Sequence, residues 1–93
     1  MAVLTVTREK KMLGFAIKVT VSVGDEDLGK LKPGESVTKE LKPGTYTVNL
    51  KTPETVVHQE IEVKEETKTV DVSFKLKMGL VTGAPKVVEV KYN

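Results

Sequence analysis

The sequence contains no cysteine and no tryptophan, and it has a single histidine and only two tyrosines and two phenylalanines. Without cysteine, disulfide bonds and thiolate metal sites are excluded, so the fold depends on its apolar core. No apolar run approaches the roughly 20 residues that a membrane-spanning helix needs. Met1-Ala2-Val3 leads directly into a strand-like run without the regions of a signal peptide. We expect a soluble chain, cytoplasmic as given, with an envelope association left open.

The charge of the chain is nearly balanced. Fifteen basic and thirteen acidic residues give a formal net charge of +2, and the two signs alternate closely, as in residues 64–68. Such mixing favours solubility and creates little long-range field, so the charge does not indicate a nucleic-acid partner. A chain of 93 residues without a linker or low-complexity segment is expected to form one domain, spanning residues 1–93.

Strict alternation of apolar and polar residues is the dominant pattern. It runs through residues 17–23 with the apolar set at odd positions and through residues 70–78 with the apolar set at even positions. A period of two predicts strands with one dry and one wet face. Further strands are predicted at residues 3–8, 27–31, 36–41, 46–50, 57–63 and 86–92. About seven or eight strands with little or no helix indicate an all-β domain, a small two-sheet β-sandwich or, alternatively, a small β-barrel.

Glycine and proline mark the breaks between these runs. Pro33-Gly34 and Pro43-Gly44 predict two similar turns, in which proline presets the first corner and glycine accepts the left-handed second corner. Gly24-Asp25 lies at hairpin distance between two strands. The segment from Gly79 through Gly83 to Pro85 is predicted to be a looser connection before the last strand.

Residues 19–50 carry a family resemblance. A strand at 19–23, then Gly29-Lys30-Leu31, then Pro43-Gly44-Thr45-Tyr46 leading into a strand resemble the small β-sandwich repeats called PEGA domains. This stretch covers about a third of the chain. The resemblance implies an immunoglobulin-like or PEGA-like sandwich that serves as a bacterial accessory module, often attached to an envelope-associated protein, without catalysis.

The sequence offers no catalytic, cofactor or metal site. His58 falls on a polar strand face beside Glu60 and Glu62, whereas a stable zinc site needs three or four convergent ligands. The acidic residues 25–27 lie in a turn, where acidic side chains are common. The lone histidine has no recognisable partner that would make it a base for a nucleophile. We therefore expect no enzyme and no cofactor.

Two apolar segments without alternation, residues 12–16 and 79–85, are the candidates for partner contact. The first is interpreted mainly as a cap on the core, and exposed apolar loops otherwise mark contacts with partners. The predicted contact residues are Leu13, Phe15, Leu80 and Val81. If the strand at 86–92 is outermost, its edge is a second place for a partner, because unpaired main-chain groups accept strands.

The sequence thus predicts a non-catalytic module that presents loops or a sheet edge to a protein partner or to a second copy, as a homodimer. The alternative is weak nucleic-acid binding through two basic clusters. One consists of Arg8, Lys10 and Lys11, and the other of Lys75 and Lys77. The shortage of aromatic side chains for base stacking disfavours this alternative.

Overall fold

A computed structural model describes residues 1–10, 17–53, 55–78 and 83–93, and every regular element in these residues is a β-strand. The prediction of an all-β chain is confirmed, with no helix in the described ranges. The strands are β1 (Ala2–Arg8), β2 (Val19–Val23), β3 (Glu26–Leu31), β4 (Ser36–Leu41), β5 (Gly44–Lys51), β6 (Val56–Val63), β7 (Thr69–Met78) and β8 (Gly83–Tyr92).

The strands form two four-stranded sheets. The first, sheet A, has the order β4-β1-β7-β8, and the second, sheet B, has the order β3-β2-β5-β6. Neighbouring strands are antiparallel except β1 and β7, which are parallel. Because the two sheets stay separate, the fold is the predicted two-sheet sandwich and not the alternative small barrel.

The alternating apolar side chains meet between the two sheets. Leu4 and Val6 of β1 lie with Val72 and Phe74 of β7 on the inner face of sheet A, and all four are fully buried. Sheet B contributes a matching set of aliphatic side chains, which are Val19, Val21, Val48, Leu50 and Ile61. The predicted phase of the alternation is therefore correct in both sheets, and burial of these side chains is the main force that holds the sandwich together.

The two Pro-Gly pairs do not form the same turn. Gly34 has a φ of 82° between β3 and β4, as the second corner of a type II turn requires. Gly44 has a φ of 154°, is the first residue of β5 and pairs with Val63 of β6. The prediction of two similar turns is wrong at Gly44, because its φ is positive but far from that of a second corner and the residue has already entered the ladder.

The segment before the last strand also differs from the prediction. Residues 83–85 were expected in a loose connection, but β8 begins at Gly83, which pairs with Met78, and Pro85 pairs with Leu76. Pro85 is buried and β8 is the outermost strand of sheet A. An edge strand tolerates proline because a main-chain N–H that points outward is not needed for the ladder.

Candidate functional site

Each sheet leaves two edge strands whose outward main-chain groups have no neighbouring strand. The edges of sheet A are β4 and β8, and those of sheet B are β3 and β6. The ladders of β3 and β8 contain register shifts, and β8 also carries Pro85, features that discourage pairing with another chain. The ladders of β4 and β6 are regular, and β6 is the longer, with eight residues in register with β5.

The outward main-chain groups of β6 can be assigned from one hydrogen bond. The N–H of Glu62 donates to the hydroxyl of Tyr92 in β8 at 3.4 Å, which places this N–H on the side away from β5. Since main-chain direction alternates along an antiparallel strand, the groups of Val56, His58 and Glu60 point the same way. The carbonyl of Glu60 accepts a hydrogen bond from the side-chain amide of Gln59 at 2.9 Å. The main-chain groups of Val56 and His58 therefore face outward at the edge of sheet B.

The side chains on the outer face of β6 are exposed. Val56 is 41% exposed, and His58, Glu60 and Glu62 follow it at alternate positions. The Nδ1 of His58 lies 2.5 Å from the Oδ1 of Asn49 on β5. The amide nitrogen of Asn49 donates to the hydroxyl of Ser22 and the carbonyl of Gly24. The Asn49 oxygen is therefore the acceptor in this contact, and Nδ1 of His58 is assigned as its donor.

This polar row does not make an activated nucleophile. Asn49 lies between Ser22 and His58 in the sheet register, so the imidazole does not reach the serine hydroxyl. In the parts of the chain that the structure describes, no group of three or more histidine, cysteine, aspartate or glutamate side chains is arranged to hold a metal ion. The row is best described as a hydrogen-bonded strip on the outer face of sheet B.

A cleft with several lysines lies at one end of the same outer face. Thr20 on β2 pairs with Lys30 on β3 and with Lys51 on β5, and Lys18 precedes Thr20 by two residues. These four residues line a cleft of about 550 Å³, and the other described residues that line it are Ile17, Asp27, Thr52 and Pro53. We call it the lysine cleft. Within the described ranges the single ion pair joins Lys39 to Glu26, so the three cleft lysines have no carboxylate within salt-bridge distance there.

Arg8 lies behind this cleft and not on the surface. It follows Ala2, Leu4 and Val6 on the inner side of β1 and is only 1% exposed. Its guanidinium donates to the main-chain carbonyl of Ile17 at 2.6 Å and to that of Leu31 at 2.9 Å. Burial lowers the pKa of the guanidinium from its usual value, although arginine remains charged at physiological pH.

The burial of Arg8 corrects the predicted nucleic-acid cluster. A buried guanidinium that is bonded to carbonyls is not available to phosphates, so Arg8 does not belong to a surface patch with Lys10 and Lys11. Lys11 itself lies outside the described residues. Lys75 is half-buried on the outer side of β7, far along the chain from the cleft lysines and in the other sheet.

The residues predicted to contact a partner are not part of the described structure. Leu13 and Phe15 fall in the range 11–16, and Leu80 and Val81 fall in the range 79–82, both outside the described residues. Their role remains a prediction from the sequence. The β6 edge and the lysine cleft are the two features that the structure adds to it.

No protein-family model matches the chain, and no curated protein has a sequence similar to it. Among the described residues, none forms a helix long and apolar enough to cross a membrane. The likeness to PEGA domains therefore stays an expectation drawn from the residues quoted above.

Proposed function

We propose that this domain is a non-catalytic interaction module that binds an extended segment of another protein along β6. The observation that carries the proposal is the regular eight-residue edge of sheet B, with the main-chain groups of Val56 and His58 facing outward. An extended segment can add to such an edge as a fifth strand, with main-chain hydrogen bonds for affinity and side chains for specificity.

The two lateral sides of the sandwich support the choice of this edge. On one side, β3 and β4 are consecutive in the chain, and Lys39 of β4 forms an ion pair with Glu26 of β3. On the other side, β6 packs beside β8, and the N–H of Glu62 donates a long hydrogen bond to the hydroxyl of Tyr92. A groove of about 400 Å³ lies beside this hydrogen bond, lined by Glu62, Lys64, Thr67 and Tyr92. The β6 side therefore has space for the side chains of an added strand.

The charges on β6 favour one kind of partner. Glu60 and Glu62 project from the outer face, and directly opposed side chains of paired strands lie about 5 Å apart. A partner strand with lysine or arginine at alternate positions would place cations beside these carboxylates. A second copy that pairs through the same β6 offers no lysine or arginine to these carboxylates, since β6 contains neither. We therefore propose a basic extended segment of a different protein, and not a homodimer, as the occupant.

A model peptide tests strand addition directly. The probe is the capped peptide Val-Lys-Val-Lys-Val-Lys-Val, titrated into ¹⁵N-labelled protein while amide shifts are recorded. We expect the largest shifts at residues 56–60, and weaker binding by the analogue with glutamate in place of lysine. If the peptide causes no shifts along β6 at millimolar concentration, or if the two peptides bind alike, the proposed recognition is wrong.

Two substitutions at one position separate the contributions of the main chain and the charge. Glu60→Gln removes the carboxylate and keeps the outward N–H, and we expect it to weaken peptide binding by up to about fivefold, the range of an exposed ion pair. Glu60→Pro removes the outward N–H as well, without breaking a bond to β5, and is tolerated on an edge strand. We expect Glu60→Pro to abolish binding while the melting temperature stays close to that of Glu60→Gln. Equal binding by both variants would contradict strand addition.

Light scattering over a range of concentrations tests the alternative occupant. We expect a monomer at every concentration. A dimer that Glu60→Pro disrupts and Glu60→Gln strengthens, by relieving the repulsion between carboxylates, would identify a second copy as the partner. That result would overturn the proposed basic segment.

A further inference from the structure

We propose that the lysine cleft on the outer face of sheet B binds a compact multivalent anion, such as a phosphate-bearing small molecule. The site consists of Lys18, Lys30 and Lys51 around the hydroxyl of Thr20. It is separate from the outward edge of β6, and the proposal does not depend on strand addition there.

The sheet register brings the three lysines together. Lys30 and Lys51 flank Thr20 on the two neighbouring strands, so their main chains are about 10 Å apart, since adjacent strands are about 4.8 Å apart. Lys18 lies two residues before Thr20, about 7 Å along the strand direction. Each ammonium sits on a flexible four-carbon stem, so all three can turn toward one anion above Thr20. The threonine hydroxyl can donate a further hydrogen bond to it.

The buried Arg8 holds the walls of the cleft in place. It donates to the carbonyl of Ile17, the residue before Lys18, and to the carbonyl of Leu31, the residue after Lys30. One guanidinium therefore fixes the main chain on both sides of the cleft, so less order must be gained when a ligand binds. Three lysines line the cleft, and Asp27 is the one acidic side chain among the described residues that line it. An anion would relieve this concentration of like charge.

The surrounding surface favours a small anion over a nucleic-acid strand. From Lys51 the outer face continues along the β5–β6 ladder to Asn49 and His58 and then to Glu60, about 13 Å from the level of the lysines. A polymer that leaves the cleft along this face would pass from cations to carboxylates. Among the described residues that line the cleft there is no aromatic side chain, so these residues offer no platform for base stacking. Lysines act as point charges toward phosphate and do not offer the planar fork that matches a carboxylate.

The test is a titration of ¹⁵N-labelled protein with inorganic pyrophosphate at low ionic strength. We expect amide shifts concentrated at Lys18, Thr20, Lys30 and Lys51, and a reversal of these shifts when salt is added. Lys30→Gln and Lys51→Gln should each weaken binding about tenfold, since each removes a charge-assisted hydrogen bond. Lys75→Gln, which removes the same charge from the outer side of sheet A, is the matched control and should leave the affinity unchanged.

Each other outcome would overturn the proposal. Shifts spread over lysines of both sheets, or equal losses of affinity in Lys75→Gln and Lys30→Gln, would indicate non-specific attraction to positive charge. The absence of shifts at Thr20 would show that the cleft does not hold the anion. A single-stranded oligonucleotide that binds at the same residues more tightly than pyrophosphate, at equal phosphate concentration, would identify a nucleic-acid site in its place.

Discussion

The inward phase of β7 can be tested by removing one side chain from its centre. The side chain of Val72 is fully buried in the core, with 0% of its surface accessible to solvent. Its strand, β7, has a neighbouring strand on each side. Val72→Ala deletes two buried methyl groups. Loss of one buried methyl typically costs about 0.5–1.5 kcal/mol, so two cost about 1–3 kcal/mol, and complete burial in a central strand points to the middle of that range, about 2 kcal/mol. For a domain of this size that corresponds to a fall in melting temperature of about 8–16 °C.

The measurement is urea unfolding followed by circular dichroism, with Lys75→Ala as the control on the outer side of the same strand. We expect Lys75→Ala to change the free energy of unfolding by less than about 0.5 kcal/mol, because its side chain lies on the outer side of β7 and outside the core. The m-value should be the same for both variants, since the exposed area of the unfolded chain is unchanged. Equal destabilisation by the two substitutions would refute the assigned phase of β7.

Three further perturbations test other parts of the fold. Gly34→Ala should destabilise the fold by about 1 kcal/mol in urea unfolding, because a φ of 82° is unfavourable for alanine. An added methyl group would make only ordinary van der Waals contact, with Lys10, so the cost comes from the backbone. A neutral result would contradict the type II turn. Arg8→Met should lower the free energy of unfolding by about 2–4 kcal/mol in the same assay, because it leaves the carbonyls of Ile17 and Leu31 without their cationic donor. An unchanged stability would contradict the role of these two hydrogen bonds. Tyr92→Phe should lower the free energy of unfolding by less than about 1 kcal/mol but increase the rate of hydrogen exchange at the amide of Glu62. An unchanged exchange rate there would exclude the hydrogen bond between Glu62 and Tyr92.

The strands themselves were predictable because each is a local pattern. Alternation identifies the faces of β2 and β7 residue by residue, since a strand sends successive side chains to opposite sides. The ends of β5 and β8 were missed by two or three residues because Gly44 and Gly83 pair in the ladder without an apolar side chain to mark them. Such residues join a strand through their main chain, which the hydrophobic pattern does not report.

The burial of Arg8 could have been predicted from the strand period, but its charge favoured a surface position. The residue continues the even-numbered inner set of Ala2, Leu4 and Val6, so the period of β1 alone places it inside. Its neighbours Lys10 and Lys11 favoured the interpretation as a surface cluster. The strand period decides in this case, because the guanidinium finds main-chain carbonyls at the end of the core and its burial is thereby compensated.

The lysine cleft and the β6 edge could not be predicted from local patterns. Lys18, Lys30 and Lys51 meet because β2 lies between β3 and β5, and that order depends on pairing between segments distant in the chain. The order of strands also decides which two strands form the edges of each sheet. The sequence left open whether the strand at residues 86–92 is outermost. The structure makes β8 an edge strand, but its ladder is irregular, whereas that of β6 is regular.

The parallel ladder between β1 and β7 has a consequence for how the chain folds. Val3 pairs with Thr69, and every strand of sheet B lies between these two partners in the chain. During synthesis at about 5–20 residues per second, β1 is therefore made several seconds before β7. Until then β4 is the only sheet neighbour available to β1, and the apolar side of Leu4 and Val6 stays incompletely covered. We expect sheet B to form first through its hairpins and sheet A to close last, so the nascent chain passes through an aggregation-prone stage that ends when β7 takes its place.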